Sequence, residues 1–171
     1  MSLTTKTKKW LEKNAAISLV GKTVVVTGSN SGVGYKTAET MLYLGARVIL
    51  ACRNPQRANE ARNKLSAEYS ESDVSEMLLD LADFSSIDAF VSKIKEQGID
   101  IDVFVNNAGV LHQPCKKTKD GFELVIGTVG SIVGLNKGFG GWGYPEVNRI
   151  YRKVTTGAEE LIAFTEKEIG L

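Results

Sequence analysis

The residues with the clearest chemical content are Gly28, Ser29, Asn30, Ser31, Gly32, Val33 and Gly34, which follow the β-branched run Thr23 to Thr27 and open a helical pattern. A helix start leaves its first amide N–H groups without partners in the chain and carries roughly half a positive charge, so an anion is held there when no side chain obstructs it. Gly28, Gly32 and Gly34 remove those side chains. Their spacing, Gly-x-x-x-Gly-x-Gly, departs from the commoner Gly-x-Gly-x-x-Gly. It meets the same needs: a tight turn, backbone approach to a diphosphate, and a helix packed close to its strand. The bland alternative is a glycine-rich connection that binds nothing; the strand before it and the helix after it favour the cradle.

A cradle of this kind must be positioned by a sheet. Four short apolar runs recur at similar intervals: Thr23 to Thr27, Ala46 to Cys52, Val74 to Leu79 and Asp102 to Asn106. Between them lie helical patterns. The clearest is Ile87, Phe90, Val91 and Ile94 at i, i+3, i+4 and i+7, with Asp83 or Ser85 as N-cap. Ala38, Met41 and Leu42 before Gly45 mark the first crossover helix, and Pro55 starts the second. Nearly continuous apolar strands alternating with helices belong to a parallel sheet covered on both faces. The expected fold is α/β: a doubly wound parallel sheet of Rossmann type, three layers α/β/α, in a single domain. Residues 1–20 form an N-terminal extension, with an amphipathic helix around Trp10, Leu11, Ala15 and Ile17 that packs on the outside. Residues 21–128 form the dinucleotide-binding region and 129–171 a C-terminal segment.

Ligands of such sheets sit at the carboxyl ends of the strands, so residues after all four strands should form one site. After the second strand, an Asp or Glu accepts a free ribose 2′-hydroxyl, whereas Arg accommodates a 2′-phosphate. The segment here is Ala51-Cys52-Arg53-Asn54, without a carboxylate. Arg53 therefore favours NADP(H) over NAD(H) through a charge-assisted contact, with Asn54 beside it; the alternative is a solvated charge at a helix start. Asp80, followed by Leu81, either accepts from the adenine amino group or caps the next helix. Asn107, Ala108 and Gly109 are small enough to let the chain pass close to the ribose groups of the coenzyme, and Asn side chains can tie neighbouring strands.

Composition narrows the rest. With 21 basic and 20 acidic side chains in 171 residues and 43% hydrophobic content, the chain has the make-up of one globular domain. A net charge of +1 gives no field for nucleic acid, and the Lys6, Lys8 and Lys9 cluster is short. No apolar stretch reaches the ~20 residues of a membrane span, so the expectation is a cytoplasmic protein. His112 is the single histidine and Cys52 and Cys115 the only cysteines, which argues against a metal centre and a Ser-His-Asp triad.

Taken together, the segment Thr27 to Gly34, the Cys52-Arg53-Asn54 turn, Asp80-Leu81 and Asn106-Asn107-Ala108-Gly109 resemble the short-chain dehydrogenase/reductase superfamily, and within it the retinol-dehydrogenase-like, NADP-preferring branch. The resemblance covers residues 20 to 128. It implies a nicotinamide-dependent oxidoreductase acting on a small-molecule carbonyl or alcohol, assembled as a homodimer or homotetramer. The family's chemistry is a relay in which a Tyr donates a proton to the carbonyl oxygen, a Lys four residues later lowers its pKa, a Ser orients the substrate and an Asn completes the chain.

That relay is not legible here. Val129 stands where the resemblance places the Asn, and no Tyr is followed by Lys at i+4: Tyr144 has Asn148 and Tyr151 has Thr155. Ser131 precedes Tyr144 by a family-like interval, but Pro145 and Asn148 oppose the pairing. Catalytic residues are therefore left unassigned. Completing the sheet by three more βα units would need ~80 residues, and 62 follow Gly109 (171 minus 109). The expectation is that residues on either side of 128–131 are not neighbours in a longer protein. The C-terminal segment then holds part of a substrate loop and a late helix over 157–170, with Ala158, Leu161, Ile162, Thr165 and Ile169 on one face. Two other readings stand beside the reductase: a catalytically silent nucleotide-binding module, and a scaffold offering its fourth strand to a partner.

Overall fold

The computed structural model describes residues 3–14, 18–70, 72–110 and 116–133. Its described elements run α1 (Thr5–Asn14), β1 (Thr23–Thr27), α2 (Gly32–Tyr43), β2 (Arg47–Cys52), α3 (Pro55–Glu68), β3 (Val74–Leu78), α4 (Phe84–Glu96), β4 (Val103–Val105) and α5 (Leu124–Val133). All four strands are parallel, in the order β3-β2-β1-β4. The doubly wound α/β fold read from the sequence is the observed one, with strand ends one or two residues shorter. Asp102, expected inside β4, instead turns its carboxylate onto the Thr23 amide and the Lys22 ammonium, each at 2.9 Å, and so pins the start of β4 to that of β1.

The alternation of side chains along each strand sorts the core into two layers. Val24 and Val26 of β1 with Val48, Leu50 and Cys52 of β2 face α2 and α3, meeting Ala38, Leu42, Ala58, Ala61 and Leu65. The intervening residues Val25, Ile49 and Ala51 face the other way, toward Ile87, Phe90, Val91 and Ile94 of α4. The chain winds outward from β1 to β3, then returns through α4 to place β4 on the far side of β1. Because βαβ crossovers are right-handed, that reversal puts α4 on the opposite face from α2 and α3. Strand order therefore changes direction between β1 and β4, and a crevice opens there at the strand ends.

Start and stop signals act as the sequence indicates. Asn54 accepts from the Arg57 amide at 2.9 Å with Pro55 in the first turn of α3, and Asp83 accepts from the Ser85 amide at 2.9 Å to cap α4. Gly45, at φ 91°, ends the α2 connection in the left-handed region that glycine tolerates.

Helix α1 lies on the outside of the domain, as expected, but its contacts differ from the predicted stripe. Leu3 and Leu11 are buried, whereas Trp10 is 61% exposed; Ala15 and Ile17 lie outside the described residues. The anchor is polar. Glu39 of α2, fully buried, accepts from the Leu3 amide at 2.6 Å and from the Tyr69 hydroxyl at 3.4 Å, and pairs with Lys36. A charge with no exposed surface survives because each partner replaces a lost water. Lys8 adds contacts over the Tyr43 and Tyr69 rings, 5.7 and 5.8 Å from their centroids. Glu39→Leu strands the Leu3 amide and is expected to lower the unfolding free energy by about 1–3 kcal/mol in urea titrations. Glu39→Gln keeps an acceptor and loses chiefly the half-exposed Lys36 pair, so its cost should stay below about 1 kcal/mol.

Candidate dinucleotide site

The four strand ends converge, as the sequence analysis requires, on one basin of about 300 Å³. Thr27, Gly28, Asn30 and Ser31 line it from β1, Ala51, Arg53, Asn54 and Arg57 from β2, Leu79 to Ala82 from β3, and Asn107 to Val110 from β4. Thr128 of α5 closes one side.

The turn after β1 is built around Asn107. The Asn107 side-chain amide donates to the carbonyls of Thr27 at 2.9 Å and Gly28 at 3.3 Å. The Thr27 hydroxyl accepts from the amides of Asn107 and Ala108, at 3.0 and 2.9 Å, and lies 3.2 Å from the Val105 carbonyl, to which it donates. Such close packing leaves no room for a side chain at Gly28 or Gly34. A Cβ on Gly28 would lie 3.0 Å from the Ala108 Cα, and one on Gly34 would drive into the Asn107 amide and to 2.7 Å from the Gly28 carbonyl. Gly32 differs: it has φ 58° and open space where its Cβ would stand. Two glycines thus serve packing and one leaves the approach to α2 clear.

Helix α2 starts without a side-chain cap: Ser31 has the extended backbone of an N-cap but makes no capping hydrogen bond. Asn30 and Ser31, just ahead of its positive end, line the basin, while Gly32 and Val33 of its first turn line the neighbouring groove between α2 and α3. Val33 is 76% exposed beside them. Ser29 is placed otherwise than a ligand contact requires: it is fully buried and its hydroxyl donates to the Val26 carbonyl at 2.8 Å, so its side chain braces the turn from within. Arg53 and Asn54 are exposed at the β2 end, with the Asn54 oxygen occupied by its cap.

At the β3 end the choice between two roles for Asp80 is narrowed. Asp83 caps α4, while Asp80 Oδ1 accepts from the Ala82 amide at 3.0 Å to close a tight turn and the Asp80 amide donates to Ser86 at 2.9 Å. Leu81 is buried beneath it, and Gly109 has open space about it.

Two lining residues escaped the sequence reading. Arg57 stands one helical turn beyond Arg53, a spacing that could have flagged it. Thr128 is 8% exposed, and its hydroxyl has no hydrogen-bond partner among the described residues, so the basin wall carries an orphaned buried polar atom. Nothing in its local sequence announces that.

Thr128 lies within helix α5, which runs through 128–131, so Ser131 is helical rather than in a loop. The helix starts at Glu123, whose carboxylate accepts from the Val125 and Ile126 amides at 3.1 and 2.9 Å; these bonds hold its pKa below the usual carboxylate range. Residues 118–122 fasten α5 to the β3–α4 turn. Lys119 pairs with Asp83 at 2.7 Å, the Phe84 amide donates to Asp120 at 2.9 Å, and the Phe84 and Phe122 rings lie 5.6 Å apart.

The tyrosines within the described residues all titrate above the ordinary phenol value. Burial, then the Glu39 charge, raises Tyr35 and Tyr69, and a hydrogen bond to Glu12 raises Tyr43. That is the opposite of the acidified tyrosine a proton relay uses. Tyr144, Tyr151, His112, Cys115 and the 157–170 helix expected from the sequence lie outside the described residues.

Comparison with known proteins bears on this geometry. The short chain dehydrogenase family model matches residues 22–140. Retinol dehydrogenase 14 of Mus musculus is 43% identical over 117 residues, an alignment taking in 63% of this chain and 35% of that protein. An uncharacterised protein of Mycobacterium paratuberculosis superposes with a TM-score of 0.57 at 38% identity, over 65% of this chain and 38% of the other. A metagenomic short-chain oxidoreductase solved in complex with NADP superposes with a TM-score of 0.50 at 33% identity, over 55% of this chain and 42% of the other. The chain spans about a third of the length of the curated relatives it matches.

Two measurements probe this construction. Gly34→Ala forces apart the Asn107 amide and the Gly28 carbonyl and is expected to cost about 1–3 kcal/mol in denaturant unfolding, whereas Gly32→Ala meets open space and loses about 1–2 kcal/mol through its left-handed backbone alone. The Lys119 and Ser85 hydrogen bonds hold Asp83 down to about 2 from its ordinary 3.8. The stability this contributes is complete above pH 4 and drains away as pH falls toward 2; Asp83→Asn should flatten the acid limb of a stability-against-pH curve.

Proposed function

The chain belongs to the short-chain dehydrogenase family, and from that premise we propose that its strand-end basin binds NADP(H) in a protein that interconverts a carbonyl and an alcohol. What supports this is one convergence: the uncapped start of α2, the guanidinium of Arg53 and the Thr128 hydroxyl, without a partner among the described residues, meet at the ends of four parallel strands. A dinucleotide has a group for each of the first two. The α2 amides, reached past Gly32, would hold the diphosphate; Arg53, with no carboxylate beside it on the β2 end, would pair with the 2′-phosphate. Asp80, whose Oδ1 already accepts from the Ala82 amide, would meet the adenine edge, and Asn107, Ala108 and Gly109 would pass close to the ribose groups.

When bound, NADP(H) delivers or takes up a hydride, chemistry that protein side chains lack. The chain's own part is to grip and orient. Asn107 holds the turn at the reversal of strand order, and Leu81 with the buried β1 and β2 side chains keeps the floor of the basin dry. The substrate is a small-molecule carbonyl or alcohol, the compartment the cytoplasm, and the assembly a homodimer or homotetramer. Among the described residues no helix is long and apolar enough to cross a membrane, and no group of side chains could hold a metal ion.

A second reading, a catalytically silent nicotinamide-nucleotide-binding module, draws on the absence of any Tyr with Lys four residues later, where the family's proton relay needs it. NADPH consumption against a panel of ketones and quinones separates the two. Cofactor binding comes first: NADPH at 100 times its dissociation constant should add ~2.7 kcal/mol to stability, read as a raised Tm. Arg53→Glu should reverse the preference toward NADH; no thermal shift with either nucleotide would overturn the proposal.

A further inference from the structure

We infer that Lys119 and Asp120 are positioning residues for the base end of the dinucleotide: their latch onto residues 82–85 sets the spacing of two walls of the basin. The inference rests on the nucleotide reading above.

Those walls belong to segments that the sheet does not join. Leu79 to Ala82 follow β3, at one end of the described strand order, whereas Thr128 stands on α5, which comes after β4 at the other end. Strand pairing therefore leaves their separation open. Residues 118–122 close it.

The latch takes hold of the β3–α4 turn by main chain and side chain together. The Lys119 amide donates to the Ala82 carbonyl at 2.9 Å, and the Lys119 ammonium donates to Asp83 at 2.7 Å and to Ser85 at 3.3 Å. Asp120 accepts from the Phe84 amide at 2.9 Å, one of the N–H groups that a helix start leaves over. The Phe84 and Phe122 rings lie 5.6 Å apart beside it.

At its other end the same segment holds α5. The Thr118 amide donates to the Phe122 carbonyl at 2.7 Å and the Thr118 hydroxyl accepts from the Phe122 amide at 3.1 Å, which closes 118–122 into a compact loop. Thr118 is buried against Gly127, where an added Cβ would come within 2.5 Å of the Thr118 methyl carbon. Thr128 is the next residue. A short path of packed and hydrogen-bonded atoms thus runs from the Ala82 carbonyl, through Thr118 and Gly127, to the α5 wall.

Reading a purine edge needs that path to be stiff. The adenine amino group would reach the Asp80 oxygen that the Ala82 amide leaves over, with the ring held against the α5 wall. Hydrogen bonds weaken steeply once their angle is lost. A wall that drifts keeps the hold on the phosphates and gives up discrimination at the base.

The test uses calorimetry on the full 171-residue chain. It compares whichever of NADPH and NADH binds more tightly with the analogue carrying hypoxanthine for adenine, in which a carbonyl replaces the amino donor. The unsubstituted chain is expected to prefer adenine. Lys119→Met with Asp120→Ala should cut that preference by about fivefold, the worth of one neutral hydrogen bond, at unchanged far-UV circular dichroism. Lys119→Arg with Asp120→Asn keeps a donor and an acceptor in place and should restore most of it. If the open-latch variant fails to fold, Asp120→Ala alone is read the same way. General loosening of the fold would weaken both ligands equally; that result, an unchanged preference, a conservative variant that loses the preference as fully, or an unsubstituted chain that binds both bases alike removes the positioning role and leaves the nucleotide reading standing. If the unsubstituted chain binds neither NADPH nor NADH, both fall.

Discussion

The structure depends on how closely the ends of β1 and β4 approach each other. Asn107 spans that gap with its side chain, donating to two consecutive carbonyls of the β1–α2 turn, while the Thr27 hydroxyl receives two amides from the opposite side. This reciprocal tie satisfies backbone groups at the point where the strand order reverses and no ladder partner is at hand. It also explains the glycines better than ligand approach alone does. Gly28 and Gly34 are excluded from carrying side chains by the Asn107 and Ala108 atoms themselves, and Gly32 is the one whose bareness faces outward. Cradle and sheet are one construction.

Electrostatic features collect on the same rim. Helix α2 presents an uncapped start, and among the described residues Arg53 and Arg57 have no carboxylate partner and the buried Thr128 hydroxyl has no hydrogen-bond partner. Elsewhere the domain pairs its charges: Lys22 with Asp102, Arg47 with Asp73, Arg62 with Glu76, Lys119 with Asp83. Unsatisfied polarity gathered at a concavity is the usual mark of a place that is completed by something else. Membership of the short-chain dehydrogenase family gives that something a class.

Much of this was legible in the residues because the fold's signals are local. Strand runs, Gly45, Pro55 and the Ile87 to Ile94 stripe each act through neighbours a few positions away, so the layers and the convergence of strand ends could be read directly. What escaped depends on contacts distant in sequence. Ser29 looked like a member of the cradle, yet its hydroxyl is spent on Val26 inside the turn. Asp80 and Asp83 compete for one cap, and only the backbone path between them decides it. Trp10 promised the packed face of α1, but a buried Glu39 thirty-six residues from Leu3 determines the docking instead. Helix α5 crosses a position where the resemblance ended, since an apolar run with one Gly against Thr118 continues a helix whatever its ancestry.

The Glu39 anchor has a mechanical corollary. Glu39 lies five residues along α2 from Gly34, a rise of about 7.5 Å, so the arm that begins at Leu3 is bolted to the same rod whose other end forms the cradle. The bolt engages a main-chain amide, which every residue but proline offers, with the buried Leu3 side chain packed beside it, so it is sensitive to slippage of the segment by a single residue. An affinity tag or fused partner placed ahead of the arm would therefore pull on the glycine-turn end of the helix as a lever, with Glu39 as its fulcrum.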